Sequence, residues 1–250
     1  MTESRFNKLF NSFILVGMAV ALVATTAIKM KGTTSDDGVA MLVVSAIGAL
    51  AGILSTVCAA NGKILTFLFG FIDVTIYGTM CFIGENYGNA ALHVLYFIPM
   101  QIIGFSQWRK RGAAKEKGKL KARRLSAKQW AIALSVLIAG TAASYFVLNS
   151  VADESALKIV ILTDALAVMC NILGQFLMST AYADQWFFWI GVNVSTIIMW
   201  SAGLKGNGGT ENFAAIYIIK YSFYLLNAFN GLRMWLKMSR EASATEPQAD

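Results

Sequence analysis

The run Val39-Ala-Met-Leu-Val-Val-Ser-Ala-Ile-Gly-Ala-Leu-Ala-Gly-Ile-Leu-Ser-Thr-Val-Cys-Ala-Ala60 holds no charged residue. As an α-helix rising about 1.5 Å per residue, it is long enough to cross roughly 30 Å of hydrocarbon. Seven further stretches share its character: Phe10–Ile28, Ile64–Ile83, Ala90–Trp108, Trp130–Leu148, Ala156–Thr180, Trp186–Leu204 and Phe213–Leu236. Helix is the form they must take, because lipid offers no partner to backbone N–H and C=O groups, and the alternation of barrel strands is absent. Of 250 residues, 56% are hydrophobic and 14% charged, with a mean hydropathy of +0.57. A soluble domain carries about 25% charged residues. The sequence thus predicts an all-α, polytopic membrane protein of eight transmembrane helices with no second globular domain. Phe10–Ile28 also follows Arg5 and Lys8 as a cleaved leader would, but its apolar part exceeds a usual signal core.

The one long polar segment, Arg109 to Lys128, holds ten of the 21 basic residues. Short basic loops stay in the cytoplasm. With eight spans, both termini then face the cytoplasm, and Arg5, Lys8, Lys63, Arg233, Lys237 and Arg240 join the inner set. Only Lys29, Lys31, Lys158 and Lys205 fall outside, and Lys220 stays within a span. The net charge of +7 is therefore a topology signal and an attraction to anionic lipid headgroups. It is not a nucleic-acid footprint, which would need a basic patch on a binding fold. Gly112–Lys119 looks like a phosphate loop but has one residue too many between its glycines, and Leu120 stands where Ser or Thr would hold magnesium.

Spans two to four and six to eight resemble each other. Gly52-Ile53-Leu54 lies 119 positions before Asn171-Ile172-Leu173, and Asp73 lies 120 before Asn193. Gly104, Trp108 and Lys110 lie 127 before Gly231, Trp235 and Lys237. By parity the two triplets have parallel topology, with the fifth span as connector, and a binding site near the midplane between repeats is expected. The divisions are an additional N-terminal span (1–38), a first three-helix repeat (39–111), a basic loop with connector helix (112–155), a second repeat (156–240) and a polar tail (241–250).

Polar groups inside the membrane cost energy and point to function. Trp186, Trp189 and Asn193 recur at i, i+3 and i+7 and share one helix face. Trp at the end of a span is also the ordinary interfacial belt, which accounts for Trp186 and for Trp130 but not for Asn193. Two indoles above an amide suit a flat cationic ring that also needs hydrogen bonds. Asp73 holds the equivalent place in the first repeat, Gln101 follows Pro99, and Asn227 and Asn230 sit in the last span. Tyr217, Tyr221 and Tyr224 recur at i, i+4 and i+7, as either cavity lining or helix packing. Asn171 and Gln175 read as interhelical hydrogen-bonding groups, and Gly48-Ala-Leu-Ala-Gly52 as a close-packing face. Asp164 and Lys220 are the other intramembrane charges; a proton or sodium site would use such carboxylates, as would a structural Asp–Lys pair. His93 has no ligand neighbour at metal spacing. Cys58, Cys81 and Cys170 have neither zinc nor disulfide spacing. No catalytic motif appears, so no enzyme, metal or cofactor is expected.

Trp186-Phe-Phe-Trp189-Ile-Gly-Val-Asn193 resembles the W-x-x-W-x-x-x-N element of the PnuC family of vitamin transporters. Tyr96-Phe97-Ile98-Pro99-Met100-Gln101-Ile102-Ile103-Gly104-Phe105 is also similar to the family pattern. The resemblance implies a fold similar to the SWEET sugar transporters, with the repeat fused in one chain. It further implies facilitated diffusion of nicotinamide riboside (vitamin B3) into bacteria across the inner membrane for NAD biosynthesis, with no ATPase partner and with a homotrimeric assembly. Substrate-binding residues would be Trp186, Trp189, Asn193 and Gln101, joined by Asn227, Tyr217, Tyr224 and Asp73 from the polar pattern. Thiamine or riboflavin carriers are the alternatives within that family. A retinal photoreceptor, suggested by Lys220 and Asp73, is the alternative outside it, although Ile216 fills the acidic place of that pattern.

Overall fold

The computed structural model describes residues 3–32, 35–83, 87–113, 120–152, 157–204 and 211–245. Lys115, Lys117, Lys119 and Lys205 lie outside them, as does most of the phosphate-loop-like segment. Every regular element among the described residues is helical. The chain forms two compact units that divide after Leu120, so the connector belongs with the second triplet.

The first unit contains α1 (Glu3–Lys31), α2 (Asp36–Ala60), α3 (Leu65–Ile83), α4 (Tyr87–Leu92) and α5 (Ile98–Lys110). Neighbours in sequence pack as neighbours in space. Ile14, Met18 and Ala21 of α1 are buried, whereas Val16, Val20 and Val23 on other faces are 63–67% exposed. Asn11 Nδ2 donates to Asn61 Oδ1 just beyond α2 at 3.1 Å. The expected small-residue face is where α2 meets α3: Gly48 lies against Ile76, and Gly52 against the Asp73 carboxylate.

A π-helical turn, His93–Phe97, joins α4 to α5. Proline explains its place. Pro99 has no N–H to give the carbonyl four residues back, and the Ile98 N–H donates to His93 O, five residues back. The wider turn keeps the ladder bonded where an α-turn cannot. His93 caps this region through a 2.8 Å contact between its Nδ1 and Asn89 O, and its Cβ lies against Gly78 of α3.

The second unit contains α6 (Ala127–Val151), α7 (Lys158–Ser179), α8 (Gln185–Leu204) and α9 (Glu211–Thr245). It is entered through a short extended strap. Arg123 N donates to Ala181 O and Ala183 N donates to Arg123 O, each at 2.8 Å. The Arg123 guanidinium lies 4.3 Å from the Tyr182 ring centroid, and its Nη2 donates to Thr180 O at 2.7 Å. Asp184, completely buried, accepts from Arg124 Nε at 3.0 Å and from Leu125 N at 2.7 Å. A carboxylate this deep persists because both its oxygens are matched by donors, one of them charged. A Ser126–Gln129 capping box then starts α6. Two of the ten basic loop residues are thus internal fasteners as well as surface charge. Trp130, a belt residue by sequence, packs on Phe187 and Phe188 at 5.6 and 5.9 Å.

Polarity runs from the inside out. Ile138 and Phe146 of α6 are 70% exposed, while Gln185 and Asn227 are fully buried. Water would reverse that distribution, and a lipid solvent produces it. Among the described residues, six helices are long and apolar enough to cross a membrane: Ser4–Lys31, Gly38–Ala60, Leu65–Ile83, Asn89–Lys110, Ala127–Val151 and Lys158–Ser179.

Candidate functional site

A glycine seats an aromatic ring in each unit. In the first, Gly104 lies under Phe67, whose ring meets Trp108 edge-on at 4.8 Å. In the second, Gly231 lies under Trp186, whose ring meets Trp235 edge-on at 6.4 Å. Trp108 and Trp235 are completely buried, and Trp186 is 2% exposed. Trp186 therefore stands in the packing between α8 and α9, with its Nε1 buried and without a hydrogen-bond partner among the described residues.

Fourteen positions further along α8, Trp200 stacks on Tyr217 at 4.5 Å and 7° between planes. Tyr217 and Gly231 are also fourteen apart on α9. The antiparallel pairing therefore sets Tyr224 at the level of Asn193 and Ala228 at the level of Trp189. Asn193 is 7% exposed. Trp189 is half-buried, its ring lies over Gly174 of α7, and its Nε1 donates to Gln185 Oε1 at 3.3 Å. A flat ring held from behind by a glycine and pinned at its N–H is preorganised for stacking. Asn227 is fully buried one turn beyond Tyr224. The face thus presents indole, amide and phenol groups in order, all within α8 and α9.

In the first unit Gln101 is buried, and its carboxamide fills the space over Gly70 beside Ser55. Its Oε1 has no hydrogen-bond partner among the described residues. Ser55 Oγ donates to Thr66 O at 2.8 Å, and Thr66 Oγ1 donates to Ser55 O at 3.0 Å. Buried acceptors are normally satisfied, so an open carboxamide oxygen in a membrane helix marks a place for a donor. Asp73 is half-buried on α3, one turn from Gly70.

Sequence reasoning found the Trp189–Asn193 face but missed Gln185, which orients Trp189, and Trp200, which stacks on Tyr217. Trp200 continues the spacing that begins at Trp186 and was findable by extending it. Gln185 had no such signal, since it stands in a polar turn between spans. No cluster of metal-ligating residues occurs among the described residues.

Comparison with known proteins follows the same lines. The family model described as nicotinamide mononucleotide transporter matches residues 42–237. The chain is 32% identical over 202 residues to the nicotinamide riboside transporter PnuC of Neisseria mucosa, covering 80% of this chain and 74% of the relative. It is 28% identical over 233 residues to that of Haemophilus influenzae, covering 92% of each. The crystal structure of a vitamin B3 transporter, PnuC, superposes with a TM-score of 0.67 at 28% identity, over 97% of this chain and 94% of the other.

Proposed function

The chain belongs to the nicotinamide mononucleotide transporter family, the PnuC proteins, and on that premise we propose that it imports nicotinamide riboside by facilitated diffusion. The observation that carries this reading is the α8 face, where the half-buried Trp189 ring and the buried Asn193 amide lie one turn apart. The riboside joins a cationic pyridinium to a carboxamide and ribose hydroxyls. An indole face attracts the cation, and amides pair with the neutral polar groups. The mononucleotide adds a phosphate, which asks for Arg or Lys donors; Trp189, Asn193, Gln101 and Asp73 offer none. Thiamine and riboflavin lack the pyridine carboxamide that an Asn and an open Gln oxygen would match.

In this reading Trp189, Asn193, Gln101, Asp73, Asn227, Tyr217 and Tyr224 contact substrate, and Trp186 supports Trp189 from the core. The recurrence of the glycine-seated ring at Gly104 and Gly231 supports a duplicated, SWEET-like 3+1+3 core behind one additional span. In the same reading the chain crosses a bacterial inner membrane eight times, with both termini in the cytoplasm. A homotrimer without an ATPase partner completes the assembly, and the exposed apolar faces of α1 and α6 leave ample surface for lipid or neighbours.

Titration of detergent-purified protein should show saturable binding of nicotinamide riboside and weaker binding of the mononucleotide, thiamine and riboflavin. In liposomes the riboside should equilibrate and not accumulate under an imposed proton or sodium gradient. Concentrative uptake abolished by Asp73→Asn would replace diffusion with coupling. Reporters fused after Lys115 and at the C-terminus should both read cytoplasmic; an external signal from either would break the eight-span topology.

A further inference from the structure

Lys220 is, with Asp164, one of two intramembrane charges that the transport reading leaves unused. It sits within α9, where an ammonium facing hydrocarbon costs roughly 2.5–3.5 kcal/mol, so its surroundings must compensate. Its Nζ lies 6.0, 5.9 and 5.6 Å from the ring centroids of Tyr217, Tyr221 and Tyr224. These residues stand at i−3, i+1 and i+4 from the lysine, on one helix face. Tyr217 is fixed by its 4.5 Å stack on Trp200 of α8, and Tyr221 and Tyr224 are tilted 58° to each other at 5.8 Å. Three phenol rings thus lie within the outer reach, about 6 Å, of the cation–aromatic attraction that cages for organic cations use, and together they make a tyrosine cage open on one side. The protein's own cation occupies it. Tyr224, one wall of the cage, is at the level of Asn193 by the antiparallel register set out above.

We propose that Lys220 is a tethered competitor for this tyrosine cage, which a cationic substrate enters by displacing the ammonium. The proposal rests on the transport reading and refines it by adding, beyond the Trp189 ring, a second group of rings that contributes to affinity for the pyridinium charge. An aromatic surface attracts a cation by about 0.5–2 kcal/mol. A lysine held on the same helix lowers that affinity and refills the cage when the substrate leaves, and its flexible four-carbon stem lets the head move aside without backbone change.

The test compares nicotinamide riboside with its neutral 1,4-dihydro form, which has nearly the same shape and no charge. Lys220→Met and Lys220→Gln should each tighten binding of the cation by about three- to ten-fold, the range expected for a cation–aromatic contact regained. Binding of the neutral form should change by less than about two-fold on the same scale. Lys220→Arg, which keeps the charge and stacks on aromatic faces at least as well, should tighten binding of neither form. Unchanged or weaker cation binding in a charge-removing variant that keeps the oligomer size of the unaltered protein would overturn the proposal. So would failure of both charge-removing variants to assemble while Lys220→Arg assembles, since the ammonium would then be a structural strut. If the unaltered protein binds neither form, the transport reading itself has failed, and the two failures are told apart.

Discussion

Asn193→Leu, Trp189→Ala and Gln101→Leu are each expected to weaken nicotinamide riboside binding by ten-fold or more. Loss of a ring that meets a desolvated cation costs on the order of 1–2 kcal/mol, and leaving a buried polar group unmatched costs about 1–3 kcal/mol. At ~1.4 kcal/mol per decade, these ranges run upward from roughly five-fold and centre on about ten-fold or more. Phe146→Ala is the control, because its side chain is 70% exposed on α6 and belongs to no part of the proposed face. Gln185→Leu offers an intermediate case: it removes the 3.3 Å bond that pins Trp189 while leaving the stacking ring in place. Titration on variants that elute at the size of the unaltered protein measures all five. Equal affinities for Asn193→Leu, Trp189→Ala and Phe146→Ala would remove the α8 face from the binding site, and equal affinities for Gln101→Leu and Phe146→Ala would remove Gln101.

Gly231→Val should be the most damaging single change to the second unit. A Cβ at Gly231 would come within 2.5 Å of Trp186 Cζ2. That ring is buried against Trp235, so it has no free space to swing into, and α8 and α9 must move apart. Overpacking of this kind costs about 1–3 kcal/mol or more. For a chain of this size that corresponds to a fall in Tm of roughly 2–4 °C per kcal/mol, with loss of the monodisperse species in detergent at the upper end. Gly104→Val should do the same to the first unit, where the added atom meets the Phe67 ring. Gly32→Ala, whose nearest neighbour would be Lys29 O at 3.7 Å, should leave Tm within about a degree. Wild-type melting of Gly231→Val would show that the contact is slack.

The spans were legible because lipid imposes one rule on every crossing segment, and a run such as Val39–Ala60 states it without ambiguity. Asn193 was legible for the same reason, as an amide where hydrocarbon tolerates little else. The wide turn at His93–Phe97 was only half visible: Pro99 announced a broken ladder, but the way the backbone repaired it depends on the packing of Gly78 against His93. The role of Trp186 was hidden, because an interfacial indole and a core indole read alike until the partner glycine on α9 is known. The strap was hidden most completely. Arg123 and Arg124 sit in a run of like charge whose evident meaning is retention in the cytoplasm, and their partners lie some sixty positions downstream.

That distance has a consequence in time. Arg123 bonds to Thr180 across 57 positions, and Arg124 to Asp184 across 60. At a synthesis rate of about 5–20 residues per second, the two arginines precede their partners by roughly 3–12 s. Throughout that interval they remain hydrated cations on a nascent chain, without the partners they hold in the folded protein. Only after the α7–α8 turn has emerged do the same side chains find the buried carboxylate and the tyrosine ring. The lock between the strap and the α7–α8 turn therefore closes late, and the order of synthesis sets the earliest moment at which the second unit can be fastened.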